Sequence, residues 1–118
     1  MLEKLSSLNI TLLGKIALDE CWTIPEEFAN NDIHDMSLRQ MDENGVDLMV
    51  LSFNSAGCQG IADRAKEEAQ ATLVTDRLKQ EAMKNPTRFA AFAALSMHDP
   101  QQAADELTRC MTKKQGFV

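Results

Sequence analysis

Val46-Asp47-Leu48-Met49-Val50-Leu51-Ser52 follows directly on Gly45 and breaks into Asn54-Ser55-Ala56-Gly57, a loop of small side chains. A short, nearly continuous run of branched and apolar residues between turn signals reads as a strand buried on both faces, as in a parallel sheet. Helical patterns flank it. Upstream, Asp35 is placed to cap a helix running to about Asn44, with Leu38 and Met41 on its apolar side and Gly45 as a left-handed stop. Downstream, a longer helix is expected from Ala62 to Lys84. Ala62, Ala65, Ala69 and Leu73 form one stripe on it and Val74, Leu78 and Ala82 another, which predicts burial on two sides. Asn85-Pro86 ends this helix, because the residue before proline avoids the helical region.

The same alternation recurs on either side. Lys15-Ile16-Ala17-Leu18-Asp19-Glu20 is an apolar run that turns acidic at its C-terminal end, followed by a loop from Trp22 to Asn31 marked by Pro25 and Asn30-Asn31. Phe89-Ala90-Ala91-Phe92-Ala93-Ala94-Leu95 reads as a third buried strand. Asp99 then caps a last helix, with Pro100 at its first position and Gln102 completing a capping box. Ala103, Leu107, Cys110 and Met111 are its expected inner face, Lys113 and Lys114 suit its negative end, and Gly116 stops it. Strands alternating with helices predict βα units and a parallel sheet. Gly116-Phe117-Val118 falls where a fourth strand is due, and three parallel strands with an open edge read as part of a larger sheet. The expectation is an α/β fold: about the first three β/α units of a (β/α)8 TIM barrel, a fold of about 250 residues. Residues 1–13 would be an extension and residues 14–118 a truncated barrel portion.

With 118 residues, a net charge of -6 and a pI near 4.8, the chain lacks the clustered basic surface that nucleic acid or an anionic membrane requires. Its three cysteines, Cys21, Cys58 and Cys110, have no paired ligand spacing, so neither a disulfide framework nor a zinc knuckle is expected. The first 13 residues form no secretory h-region, and no apolar run reaches the roughly 20 residues that span a bilayer. A cytoplasmic location is the expectation.

Barrel enzymes place their chemistry at the C-terminal ends of strands. Asp19 and Cys21, two apart on a strand, project to one side while Glu20 points to the other. A carboxylate and a thiolate so placed are candidate metal donors, the alternative being a solvated acid beside a small thiol. Asn54 and Ser55, in the loop after the second strand, are candidates to face a substrate or are an ordinary strand-to-helix turn. His34 and His98 fall in loops and read as packing or hydrogen-bonding groups. Cys58 has no fixed histidine partner, so a cysteine nucleophile is not expected. GxGxxG, Walker A and GxSxG patterns are all missing.

Several stretches together resemble one family: Gly14-Lys15-Ile16-Ala17-Leu18-Asp19-Glu20, Met41-Asp42-Glu43-Asn44-Gly45-Val46, Leu51-Ser52 and Pro86-Thr87-Arg88-Phe89 through Leu95. Ser96-Met97-His98-Asp99-Pro100, Glu106-Leu107-Thr108-Arg109-Cys110 and Gly116-Phe117-Val118 continue the match. The chain resembles the opening of the amidohydrolase-related aromatic acid decarboxylases, the group of γ-resorcylate, 2,3-dihydroxybenzoate and salicylate decarboxylases. The resemblance implies a TIM barrel, a divalent metal (zinc, alternatively magnesium or manganese) and non-oxidative loss of CO₂ from an aromatic carboxylic acid whose oxygens bind that metal. In the family a first-strand glutamate is a ligand, followed two residues later by histidine in some members. Asp19 and Cys21 occupy those positions. The segment after Trp22 is shorter than the family's, and the strands that carry the remaining histidine and aspartate groups do not follow. Two rivals stand beside the decarboxylase reading: a non-catalytic remnant that assembles with a second copy or a partner chain, and a portion of another metal-dependent hydrolase of the superfamily.

Overall fold

The computed structural model describes residues 14–22, 34–53 and 57–112. Three strands, β1 (Lys15–Trp22), β2 (Val46–Phe53) and β3 (Phe89–Ala91), form one parallel sheet in the order β1-β2-β3. Between and after them lie α1 (Met36–Asn44), α2 (Arg64–Lys84) and α3 (Pro100–Thr112). Neighbouring strands in chain order are neighbours in space, which is how successive units of a barrel are laid down. The expected 1–13 extension, the loop around Pro25 and the helix stop at Lys113 to Gly116 lie outside the described residues.

The two faces of β2 have different company. Leu51 joins Phe89 and Ala91 of β3, Met41 of α1, Val74, Leu78 and Ala82 of α2, and Cys110 of α3 in the main core, with Met49 and Phe53 packed against it. Leu48 and Val50 point the other way and cluster with Ala90 and Ile16. Burial on both faces explains why β2 reads as an unbroken apolar run. At the base of the sheet Arg88 bonds three elements together: Nε donates to the carbonyl of Asp47, and Nη2 to the carbonyl of Val46 and to Asp42 Oδ1.

Gly45 ends α1 at φ 66°, as its position predicts. Asp35 stands at the N-cap of α1, yet its side chain makes no capping bond, because its own backbone is helical rather than extended. The working cap of α2 is Asp63, whose carboxylate accepts from the Lys66 amide at 3.0 Å.

Four expectations are corrected. The first stripe proposed for α2 faces outward: Ala62, Ala65 and Ala69 are exposed and Leu73 is 45% exposed. One face alone is buried, formed by Glu67, Ala71, Val74, Thr75, Leu78 and Ala82. On α3, Leu107 and Met111 are exposed, and the inner face is Ala103, Glu106 and Cys110. Glu106 is accommodated there because Arg109 grips both its oxygens at 2.8 Å and extends to Asp76 of α2 at 2.9 Å. The capping box of α3 is half made. Asp99 Oδ1 accepts from the amides of Gln101 and Gln102, but Gln102 Oε1 is buried with no partner among the described residues. The third strand is also shorter than its apolar run. It pairs only over Phe89–Ala91, after which the extended chain is held by Thr75, whose hydroxyl donates to the Ala94 carbonyl and accepts from the Ala94 amide.

Candidate functional site

In a parallel sheet, residues paired in register share a face. Glu20 pairs with Leu51 and Cys21 with Ser52. Cys21 therefore lies on the Leu48 and Val50 side, away from the helices, and Glu20 lies on the helix side. This places the Cys21 thiol at the C-terminal end of β1, exposed, on the face that a closed barrel turns inward. The register between β1 and β2 shifts between Ala17 and Glu20, so strict alternation is interrupted at Leu18-Asp19. The backbone of Asp19 belongs to β1, and its side chain lies outside what is described. Asn54 and Ser55 also lie outside the described residues. Among those that are described, no three His, Cys, Asp or Glu side chains converge in a group that could hold a metal ion.

The two histidines have well-defined surroundings. His34 is engaged at both ring nitrogens, Nε2 with Glu81 Oε2 and Nδ1 with the Asn85 amide, each at 3.0 Å, and its ring meets Phe89 edge-on. Burial raises the Glu81 carboxyl, but the hydrogen bonds from Lys84 and His34 outweigh it and hold the group below its ordinary value. His34 is thus a structural group. His98 precedes α3, and its Nε2 lies 2.5 Å from Glu67 Oε2 and 3.1 Å from the Ile61 carbonyl. Nearby, Arg64 bonds Asp99, so this ion pair and the His98–Glu67 contact tie the segment after β3 to the start of α2. His98, Glu67, Gln59 and Met97 line an open depression. Cys58 is buried beside it, and burial together with the charge of Glu67 pushes its thiol up. Glu67 was not legible as a site residue. A glutamate in the first turns of a helix normally reads as solvated, and its partner His98 is 31 positions away.

No family model matches the chain. It is 39% identical to the γ-resorcylate decarboxylase of Polaromonas sp. strain JS666, and 38% identical to that of Rhodococcus jostii strain RHA1. Each match runs over 122 aligned positions, 89% of this chain and 37% of the relative. The 122 positions exceed the 118 residues of the chain, so the relatives carry residues that it lacks within the matched stretch. Among solved structures, the 2,6-dihydroxybenzoate decarboxylase from Rhizobium superposes with a TM-score of 0.80 at 39% identity, over 89% of this chain and 36% of the other. A putative amidohydrolase from Staphylococcus aureus gives a TM-score of 0.72 at 25% identity, over 84% of this chain and 34% of the other. The chain thus spans a little over a third of the length of the curated relatives it matches. By sequence and by fold it is a relative of the γ-resorcylate decarboxylases and of the amidohydrolase-related proteins around them.

Proposed function

We propose that this chain supplies the opening β/α units of a metal-dependent, non-oxidative decarboxylase acting on hydroxybenzoate-type aromatic acids. In this reading Asp19 and Cys21 are metal donors from β1, and Asn54 and Ser55 face the substrate. The observation that carries it is the superposition at a TM-score of 0.80 of a β1-β2-β3 array that sets Cys21 at the C-terminal end of its first strand. The Polaromonas decarboxylase, solved with manganese and the inhibitor 2-nitroresorcinol, and a 2,6-dihydroxybenzoate decarboxylase complexed with 2,6-dihydroxybenzoate supply the chemistry being carried over.

The donors suit a divalent ion in kind but not in number. A carboxylate and a thiolate are both acceptable to zinc, while the thiolate is too soft a donor to favour magnesium or manganese. Zinc is therefore the metal this strand would select. An open catalytic site needs three protein donors, so others have to come from beyond those described. A bound ion would supply a Lewis acid for hydroxyl and carboxylate oxygens.

A second reading has its own observation. Among the described residues β3 pairs on one side only. Arg109 of α3 reaches towards α2, while the exposed Leu107 and Met111 lie round the helix from it, on the flank where a further unit would pack. A non-catalytic portion that assembles through this flank is the alternative, with another hydrolase of the superfamily as a third. The discriminating experiment expresses the complete reading frame, loads it with zinc or manganese, and assays hydroxybenzoates beside ester and amide substrates. Release of CO₂ from 2,6-dihydroxybenzoate supports the decarboxylase. Turnover of esters or amides that depends on the metal points to the hydrolase, and a stable inactive oligomer in light scattering points to the assembling portion.

A further inference from the structure

The His98 and Glu67 pair uses none of the donors assigned above. Both neighbours of His98 Nε2 are acceptors, the Glu67 carboxylate and the Ile61 carbonyl, so Nε2 carries the proton and donates to them. The lone pair of the neutral ring is then at Nδ1, which no described group engages. The Glu67 side chain is 3% exposed and that of His98 37%, so a buried carboxylate holds a ring that opens onto the depression formed with Gln59 and Met97. His34 has no such freedom, since both its nitrogens are taken. A carboxylate that fixes the tautomer, an imidazole with its other nitrogen accessible, and a concavity beside it are the parts of a general-base site.

We propose that His98 is a general base for the hydrolysis of small activated carboxylic esters, with Glu67 as its positioning residue. As a water oxygen bonds to the acyl carbon, the carbonyl π pair moves to oxygen and Nδ1 takes the water proton. Collapse of the tetrahedral intermediate breaks the bond to the alkoxide or phenolate, which receives that proton from Nδ1. Acid and alcohol leave, and His98 is again neutral. Glu67 accepts the hydrogen bond from Nε2 throughout and, staying ionised, offsets the charge of the transient imidazolium. The thiol of Cys58 is buried and held protonated, so water is the attacking group.

The test uses p-nitrophenyl acetate and the 118-residue chain without added metal. Hydrolysis above buffer is expected, falling by at least about tenfold in His98→Gln and persisting in Cys58→Ser. Glu67→Gln should lower the rate, Glu67→Asp should restore part of it, and ring ¹⁵N shifts should show the Nε2-protonated tautomer in the wild type and a mixture in Glu67→Gln. Should His98→Gln fail to fold, carbethoxylation of the wild-type ring by diethylpyrocarbonate must abolish hydrolysis. A wild type no faster than buffer overturns the proposal. So does undiminished hydrolysis by His98→Gln or after carbethoxylation, or a loss that follows Cys58→Ser.

Discussion

Truncating Leu78 and Leu73 of α2 to alanine, one at a time, separates a helix buried on one face from a helix buried on two. Leu78 is fully buried, in contact with the core formed by Leu51, Val74, Phe89 and Cys110, whereas Leu73 is 45% exposed. Removing a fully buried leucine side chain costs the transfer energy of its carbons plus the cavity left behind, about 3 kcal/mol. That is a large share of the roughly 5–15 kcal/mol that holds a domain of this size. Leu73→Ala removes contacts that water already shares and should stay within about 0.5 kcal/mol. Urea unfolding followed by circular dichroism reads the difference. With a slope of about 1–3 kcal/mol per molar urea, Leu78→Ala should bring the midpoint down by at least about 1 M or leave the chain unfolded without denaturant. Equal losses for the two variants would show that the Leu73 side is packed as well, and the one-faced account of α2 would fail.

Gly45→Ala should destabilise by about 1 kcal/mol, since a left-handed backbone strains any Cβ although the space around it is open; thermal unfolding beside Gly45→Asn, which should cost less, checks this. Asp63→Ala removes the acceptor of the Lys66 amide and should cost about 1 kcal/mol, seen as faster amide exchange at the start of α2. The hydrogen bonds from Arg109 to Glu106 hold that carboxyl below its ordinary range, so its folded value lies under the unfolded value of about 4.3. The stability it contributes is complete above the unfolded value and is lost as pH falls through the folded one. Glu106→Gln should therefore be less stable at neutral pH and show a shallower acid limb, and an unchanged limb would contradict this.

What the amino-acid pattern revealed, and what it concealed, follows from the range of the interactions. Gly45, Asn85-Pro86 and Asp99-Pro100 act within a few residues, and they mark helix ends where the structure has them. The β2 run was legible because both faces are buried. Alanine, by contrast, is compatible with either side of a helix, so the spacing of Ala62, Ala65 and Ala69 does not distinguish the outward stripe from the buried face. Glu67 is buried against His98, and Glu106 against Arg109, which also reaches Asp76; the Glu67–His98 and Arg109–Asp76 contacts join residues about thirty positions apart. Local periodicity carries no trace of such pairs. At the candidate metal end, Cys21 stands opposite Glu20, on the Leu48 and Val50 side of the sheet, whereas the register shift at Leu18-Asp19 has no signature in the sequence.

The central claim is that these three units open a metal-dependent decarboxylase barrel, and its most direct test is the nucleotide sequence of the transcript through and beyond the codon for Val118. An in-frame continuation encoding further βα units is expected, with a histidine and an aspartate at strand ends to complete the metal site proposed at Asp19 and Cys21. A genuine stop codon directly after Val118 would contradict it, and the assembling, non-catalytic portion would then be the better description of this polypeptide.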